Sequence, residues 1–209
     1  MSAAHSIAPR DITLGILAGG QGTRLGGCDK AWIMRGGMPQ VQRLAQRFER
    51  DVSHVLVSAN RDLARFESLG YIAVPDRTPD LGPIGGLDAL AAACTTTWML
   101  TVPVDLVFVN DCLVATLESA GGQGACIEDD DGVQPLVALW NVDALRVTLA
   151  LLLPHQPSSL PRMREPRQAD LSVQSLQHTL SMPRIRLQGV RFGNLNTPDD
   201  LAAAGAQLP

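Results

Sequence analysis

Residues 17–31, LAGGQGTRLGGCDKA, place five glycines within nine positions beside Arg24 and Lys30. Glycine lets a backbone take positive φ or approach a ligand closely, and N–H groups turned outward in this way form a nest for an anion. A polyphosphate is the ligand such a loop suits, with the two cations supplying opposite charge. Of 17 basic residues 16 are arginine, and the one lysine, Lys30, ends this stretch. A compact ammonium there suits a point contact where a planar guanidinium would not fit. Spacing excludes two familiar phosphate loops. A Walker A loop needs G-x-x-x-x-G-K-[ST], but Lys30 lies between Asp29 and Ala31. The dinucleotide fingerprint G-x-G-x-x-G fails because Gly20 and Gly22 are followed by Leu25 where the third glycine belongs. Further along, Asp105 closes the apolar run WMLTVPVD and Asp76 closes YIAVPD. A carboxylate at a strand end emerges at the carboxyl edge of an open α/β sheet, where ligands of that architecture bind. Carboxylates so placed suit Mg²⁺, which needs only one or two of them besides phosphate oxygens and water.

The elements that must position these residues alternate along the chain. ITLGILAG, HVLVSAN, YIAVPD and WMLTVPVD read as strands, and MPQVQRLAQRFER and PIGGLDALAAAC as helices. NDCLVATLES reads as a helix capped by Asn110, and GACIEDDDGVQPLVALW as two strands around an acidic turn. The helix VDALRVTLALLL follows, then residues 154–170 with four prolines as a mobile loop, then a short helix LSVQSLQHTL and a strand-like RIRLQGVRF. Thr197 and Pro198 fit the N-cap and first turn of a last helix. This order predicts an α/β fold, a mostly parallel sheet with helices on both faces, in one domain over 1–209 with a loose terminus at 1–11.

Composition removes several functions. A net charge of −4 argues against a general nucleic-acid binder, and no run approaches the ~18 apolar residues of a membrane span. No apolar signal segment opens the chain, so cytoplasm is the expected location. Cys28, Cys94, Cys112 and Cys126 lack metal or disulfide spacing and read as free thiols.

The pattern G-G-x-G-x-R-x-G-G-x-D-K resembles the loop of the molybdenum cofactor guanylyltransferases, the MobA-like branch of the nucleotidyltransferases. Six further blocks match that family in order: VSANR at 57–61, VPD at 74–76, DLGPIGGL at 80–87, VPVDLVFV at 102–109, QPLVALW at 134–140 and NLNTPDDL at 194–201. The resemblance implies a Rossmann-like three-layer nucleotidyltransferase fold. It sets Leu17, Ala18 and Gly19 against guanine and ribose, with Gly20 and Gly22 turning N–H groups to the triphosphate. Arg24, Lys30 and Asp105 become the catalytic set, and Asp105 the Mg²⁺ ligand. Asp76 and either Ser58 or Asn60 bind the nucleotide, and Gly82 and Pro83, with Gly85 and Gly86 behind them, border the base. Asn194 and Asn196 complete or brace the pterin side. Two departures stand out: PVD replaces the family's P-C-D, and Ser58 stands where asparagine is common. The arginines Arg162, Arg164, Arg167, Arg184, Arg186 and Arg191 match no family block and are expected to include ligands of the pterin phosphate.

The implied reaction is transfer of GMP from GTP to molybdenum-molybdopterin, with pyrophosphate released and with transient contacts to proteins that supply the cofactor and mature molybdoenzymes. Alternatives at this point are cytidylyl transfer to the same pterin, transfer to a sugar phosphate, and a non-catalytic nucleotide-binding assembly partner. Gly19 favours guanylyl transfer, because cytidylyl relatives tend to read L-A-A-G there.

Overall fold

In the computed structural model, which describes residues 7–20, 25–153 and 171–209, strand β1 (Ile12–Leu17) divides the interior. Ile12, Leu14 and Ile16 enter one hydrophobic cluster, while Gly15 lies against Leu90 and Met99 of the other. This is the period-2 alternation of a strand covered on both faces. The sheet has seven strands in the order β5 (Ile72–Val74), β4 (His54–Ser58), β1, β6 (Trp98–Pro103), β8 (Gly132–Asn141), β7 (Gly124–Asp129) and β9 (Arg184–Arg186). The first four are mutually parallel, β8 runs antiparallel to both β6 and β7, and β9 is parallel to β7. On one face, α1 (Gln40–Arg47), α2 (Leu63–Ser68) and α4 (Leu113–Glu118) contribute to the cluster that holds Leu44, Phe48, Phe66 and Leu117. On the other, α3 (Pro83–Ala93), α5 (Val142–Leu152) and α6 (Val173–Thr179) contribute Leu87, Leu90, Leu145, Leu149 and Leu176. The expected three-layer, mostly parallel α/β architecture is the one observed.

The antiparallel half carries a buried polar contact: the indole N–H of Trp140 donates to the Thr101 hydroxyl at 2.8 Å, and that hydroxyl donates to the Leu136 carbonyl at 2.8 Å. Both side chains are fully buried, so each donor needs its partner.

A second, three-stranded sheet joins β2 (Met34–Arg35), β3 (Met38–Pro39) and β10 (Ala206–Gln207) in the order β10-β2-β3. Helix α7 (Pro198–Ala203) closes it over Leu25, Ile33, Leu195 and Leu201. This sheet corrects the first helix, which starts at Gln40 because Met38 and Pro39 pair with Arg35 and Met34. Asn110 does not cap α4. Its side chain accepts the Cys112 N–H, and Cys112 occupies the N-cap. Only Arg184–Arg186 of RIRLQGVRF is strand. Within the terminus expected to be loose, Ile7 packs against the core and Pro9–Asp11 form a 3₁₀ turn. The expected loop at 154–170 lies outside the described residues, and among the described residues no helix is long and apolar enough to cross a membrane.

Candidate active site

Strand register decides where the site forms. Leu17 pairs with both Ser58 and Pro103, and Ser58 pairs with Val74, so four parallel strands end in one row. The chain leaving that row carries Ala18 and Gly19, Asn60, Asp76, and Val104 and Asp105 out side by side. Above it lies a cavity of about 400 Å³ lined by Leu17, Ala18, Gly19, Gly20, Lys30, Ser58, Asp76, Gly82, Pro83, Gly86, Pro103, Val104, Asp105, Leu136 and Asn196. This is the carboxyl edge of a parallel sheet, where open α/β folds bind ligands.

Lys30 occupies the charged end of the cavity. Its ammonium donates to Asp105 Oδ2 at 2.8 Å and to Asn196 Oδ1, with the Lys30 and Asp105 side chains only 17% and 20% exposed. Lys30 is delivered by a 3₁₀ turn, Lys30–Trp32, whose N-cap Asp29 accepts the Ala31 N–H at 3.0 Å. Burial pushes the Asp29 carboxyl above its ordinary range against that hydrogen bond. Asn196 sits just before α7, where Thr197 and Asp200 form a capping box. The Thr197 hydroxyl and the Asn196 and Thr197 amides hold the Asp200 carboxyl below its ordinary range.

The loop carrying Asp105 has three successive carbonyls satisfied from outside it. The Leu195 amide donates to the Asp105 carbonyl at 2.9 Å, the Gln40 side-chain amide to that of Leu106 at 2.5 Å, and the Arg35 guanidinium to that of Val107 at 2.9 Å. A loop tied at each residue presents its carboxylate in one place, which preorganised charge stabilisation requires.

On the opposite wall, the Asn60 side chain brackets Asp76. Its amide donates to Asp76 Oδ2 at 3.0 Å, and its Oδ1 accepts the Asp76 backbone N–H at 2.8 Å. The other oxygen, Asp76 Oδ1, is buried with no hydrogen-bond partner. Helix α3 starts behind it from Gly82, whose φ of 56° and ψ of −139° favour glycine. At Gly86 the helix comes so close to the strand ends that a Cβ would lie 2.7 Å from both Leu17 Cδ2 and Ser58 Oγ.

The structure thus gathers most of the expected residues. Leu17, Ala18, Gly19, Gly20, Lys30, Ser58, Asp76, Gly82, Pro83, Asp105 and Asn196 all line the cavity, and Asn60 reaches it through Asp76. Ser58 and Asn60, left as alternatives by the sequence, separate: Ser58 is buried against α3 and Asn60 is exposed beside Asp76. Asn194 does not line the cavity but forms an antiparallel bridge with Leu106. Gly22, Arg24, Arg162, Arg164 and Arg167 lie outside the described residues. The remaining arginines lie away from this cavity. Arg186 pairs with Glu128 and Arg191 with Asp131, and neither these nor Arg184 lines the cavity. Pro103, Val104 and Leu136 were missed although the blocks VPVD and QPLVALW contain them, while Gln40 and Arg35 carry no local signal of their role.

All four cysteines are free, and among the described residues no group of three or more His, Cys, Asp or Glu side chains gathers as a protein-only metal cage. Asp105 and Asp76 both line the cavity, one with an unpartnered oxygen. A hard carboxylate such as that of Asp105 is the donor type that suits a Mg²⁺ ion taking its other ligands from phosphate and water.

A mostly parallel sheet with a glycine-framed cavity at its carboxyl edge, holding one ammonium and two carboxylates, is suited to a phosphorylated ligand such as a nucleotide, and the class it fits is that of the nucleotidyltransferases. Comparison with known proteins narrows the class. The MobA-like NTP transferase domain family matches residues 14–169, and the chain belongs to this family. A protein of Cereibacter sphaeroides named Molybdenum cofactor guanylyltransferase is 37% identical over 198 residues, covering 92% of this chain and 95% of that one. One of the same name from Cupriavidus necator is 39% identical over 156 residues, 70% of this chain and 78% of its own length. Among solved structures, Molybdopterin-guanine dinucleotide biosynthesis protein A from Archaeoglobus fulgidus superposes with a TM-score of 0.64 at 20% identity, covering 92% of this chain and 96% of that one, a likeness of fold.

Proposed function

We propose that this chain is a single nucleotidyltransferase domain that moves GMP from GTP onto the terminal phosphate of molybdenum-molybdopterin. A phosphate oxygen of the pterin attacks the α-phosphorus of GTP, a new P–O bond forms, and the bond from the α-phosphorus to the bridging oxygen breaks. Its electron pair leaves with pyrophosphate. The nucleophile is already an anion, so neither a covalent enzyme intermediate nor a strong general base is needed, and catalysis is alignment and charge neutralisation.

The observation that carries this reading is the Lys30, Asp105 and Asn196 cluster inside a glycine-framed cavity, in a chain 37% identical over nearly its whole length to a protein named for this activity. The backbone from Leu17 to Gly20 and the turn at Gly82 and Pro83 take the base and ribose, with Gly22 at the triphosphate. Asp76, bracketed by Asn60, orients the nucleotide, and Ser58 packs beneath it. Lys30 and Arg24 neutralise the phosphates and the charge gathering on pyrophosphate. Asn194 and Asn196 face the pterin half. Bound at Asp105, Mg²⁺ would supply further charge neutralisation at the phosphates. The same reading brings transient contacts with proteins that supply the pterin cofactor and mature molybdoenzymes, and a cytoplasmic location.

Thermal unfolding with GTP, CTP, ATP or UTP, with and without Mg²⁺, tests it. The preferred nucleotide at 100 times its Kd adds about 2.7 kcal/mol. GTP is expected to stabilise most, and CTP in that place overturns the guanylyl reading.

A further inference from the structure

We propose that Asp200 is a positioning residue for nucleotidyl transfer, acting through Asn196 to hold the Lys30 ammonium beside Asp105. The inference rests on the reading of Lys30 as the phosphate-binding cation. A capping box needs the N3 carboxylate to accept only the N-cap N–H. Here Asp200 Oδ2 accepts the N-cap amide of Thr197 at 2.8 Å and also the amide of Asn196, one residue further out, at 3.0 Å. The second bond reaches beyond the helix and fixes the backbone from which the Asn196 side chain projects. That side chain accepts from Lys30 across 166 residues of sequence. The adjoining amide of Leu195 is already tied to the Asp105 carbonyl. One carboxylate therefore sets the segment that contacts both members of the Lys30–Asp105 pair. Lysine is a point charge on a flexible four-carbon stem, so its place depends on the acceptors around it. Without Asp200 the amides of Asn196 and Thr197 lose their shared acceptor, Asn196 turns away, and Lys30 keeps one partner in place of two.

Lys30 is the only lysine in the chain, so protein labelled with [13Cε]lysine gives a single set of Hε–Cε signals to read its state. The wild type is expected to show two distinct Hε resonances, as a held side chain does. In Asp200→Ala they collapse toward the averaged position of a free lysine. Turnover in the same variant falls about tenfold, with the KM for GTP within about twofold. Asp200→Glu restores both readouts, because glutamate also serves at the third position of a capping box. Thr197→Ala separates positioning from helix stability: it removes the hydroxyl cap and lowers Tm but leaves both amide bonds to Asp200, so the lysine signals and kcat stay. Where the alanine variant does not fold, Asp200→Leu, which keeps side-chain bulk without an acceptor, is expected to collapse the lysine signals in the same way. A folded Asp200→Ala protein with unchanged lysine signals and wild-type kcat overturns the inference, whatever Lys30 does. A fully active Lys30→Ala enzyme overturns the role of Lys30 instead, and the lysine signals still decide the clamp.

Discussion

Gly86→Ala should weaken nucleotide binding far more than it weakens the fold. The new Cβ would stand 2.7 Å from Leu17 Cδ2 and from Ser58 Oγ, and 3.4 Å from Ser58 Cβ. Both clashing atoms are ends of side chains, so the strain is relieved when Leu17 and Ser58 leave their rotamers, at about 0.5–1.5 kcal/mol each. Against this, alanine in place of glycine inside a helix gains about 1 kcal/mol. The net loss of stability is then about 0–2 kcal/mol. Leu17 and Ser58 both line the cavity, however, and rotating either one changes its shape. If the change weakens GTP tenfold, a concentration that stabilises the wild type by about 2.7 kcal/mol stabilises the variant by about 1.4 kcal/mol. Urea denaturation at fixed GTP, with and without the nucleotide, reads both quantities. A Gly86→Ala protein that gains as much from GTP as the wild type refutes the argument that this close approach shapes the cavity.

Asp105→Asn keeps the shape of the side chain but removes its charge; it should remain folded and lose at least ~100-fold in pyrophosphate release, and activity within threefold of wild type would remove Asp105 from the reaction. Thr101→Val leaves the buried Trp140 N–H without its acceptor and should cost about 1–3 kcal/mol, about 2–4 °C in Tm for each, with an unchanged m-value in urea. Burial pushes the Asp129 carboxyl upward, but donors from Phe192, Gln134, Asp131 and Gly132 outweigh it and hold the group below its ordinary range. Its stabilising contribution is therefore full above the unfolded value of about 3.9 and disappears as pH falls through the depressed folded value. Asp129→Asn should flatten the acid limb of a Tm against pH profile, and a limb of unchanged steepness would assign acid unfolding elsewhere.

Much of the nucleotide half of the site was legible because its signals are local. The apolar runs ending at Leu17, Ser58, Val74 and Pro103 read as strands, and strands that end in register bring their following residues together. The contact between Lys30 and Asn196 had no such signal, because it joins segments 166 residues apart and depends on a capping box whose reach beyond the helix only geometry reveals. Helix α2 went unseen for a local reason: it has six residues and follows Asp62 in a left-handed conformation at φ 53°, without a side-chain cap. Strands β2 and β3 have two residues each, too few to carry a period. The arginines carried no signal of place, because composition gives charge alone; the β7–β8 hairpin sets Glu128 beside Arg186 and Asp131 beside Arg191.

The external ties on the Asp105 loop also join early and late parts of the sequence. Strands β1, β4, β5 and β6 all lie before Val104, so their row of ends is built from the first half of the chain. Leu195, Asn196 and Asp200 arrive only with the last segments, as does β10, which pairs with Arg35 and so steadies the residue that holds Val107. Contacts of such long sequence separation slow the folding search. The glycine rim and the lysine clamp thus draw on opposite ends of the sequence, and a nucleotide that needs both gains its full affinity only from chains in which both ends have docked.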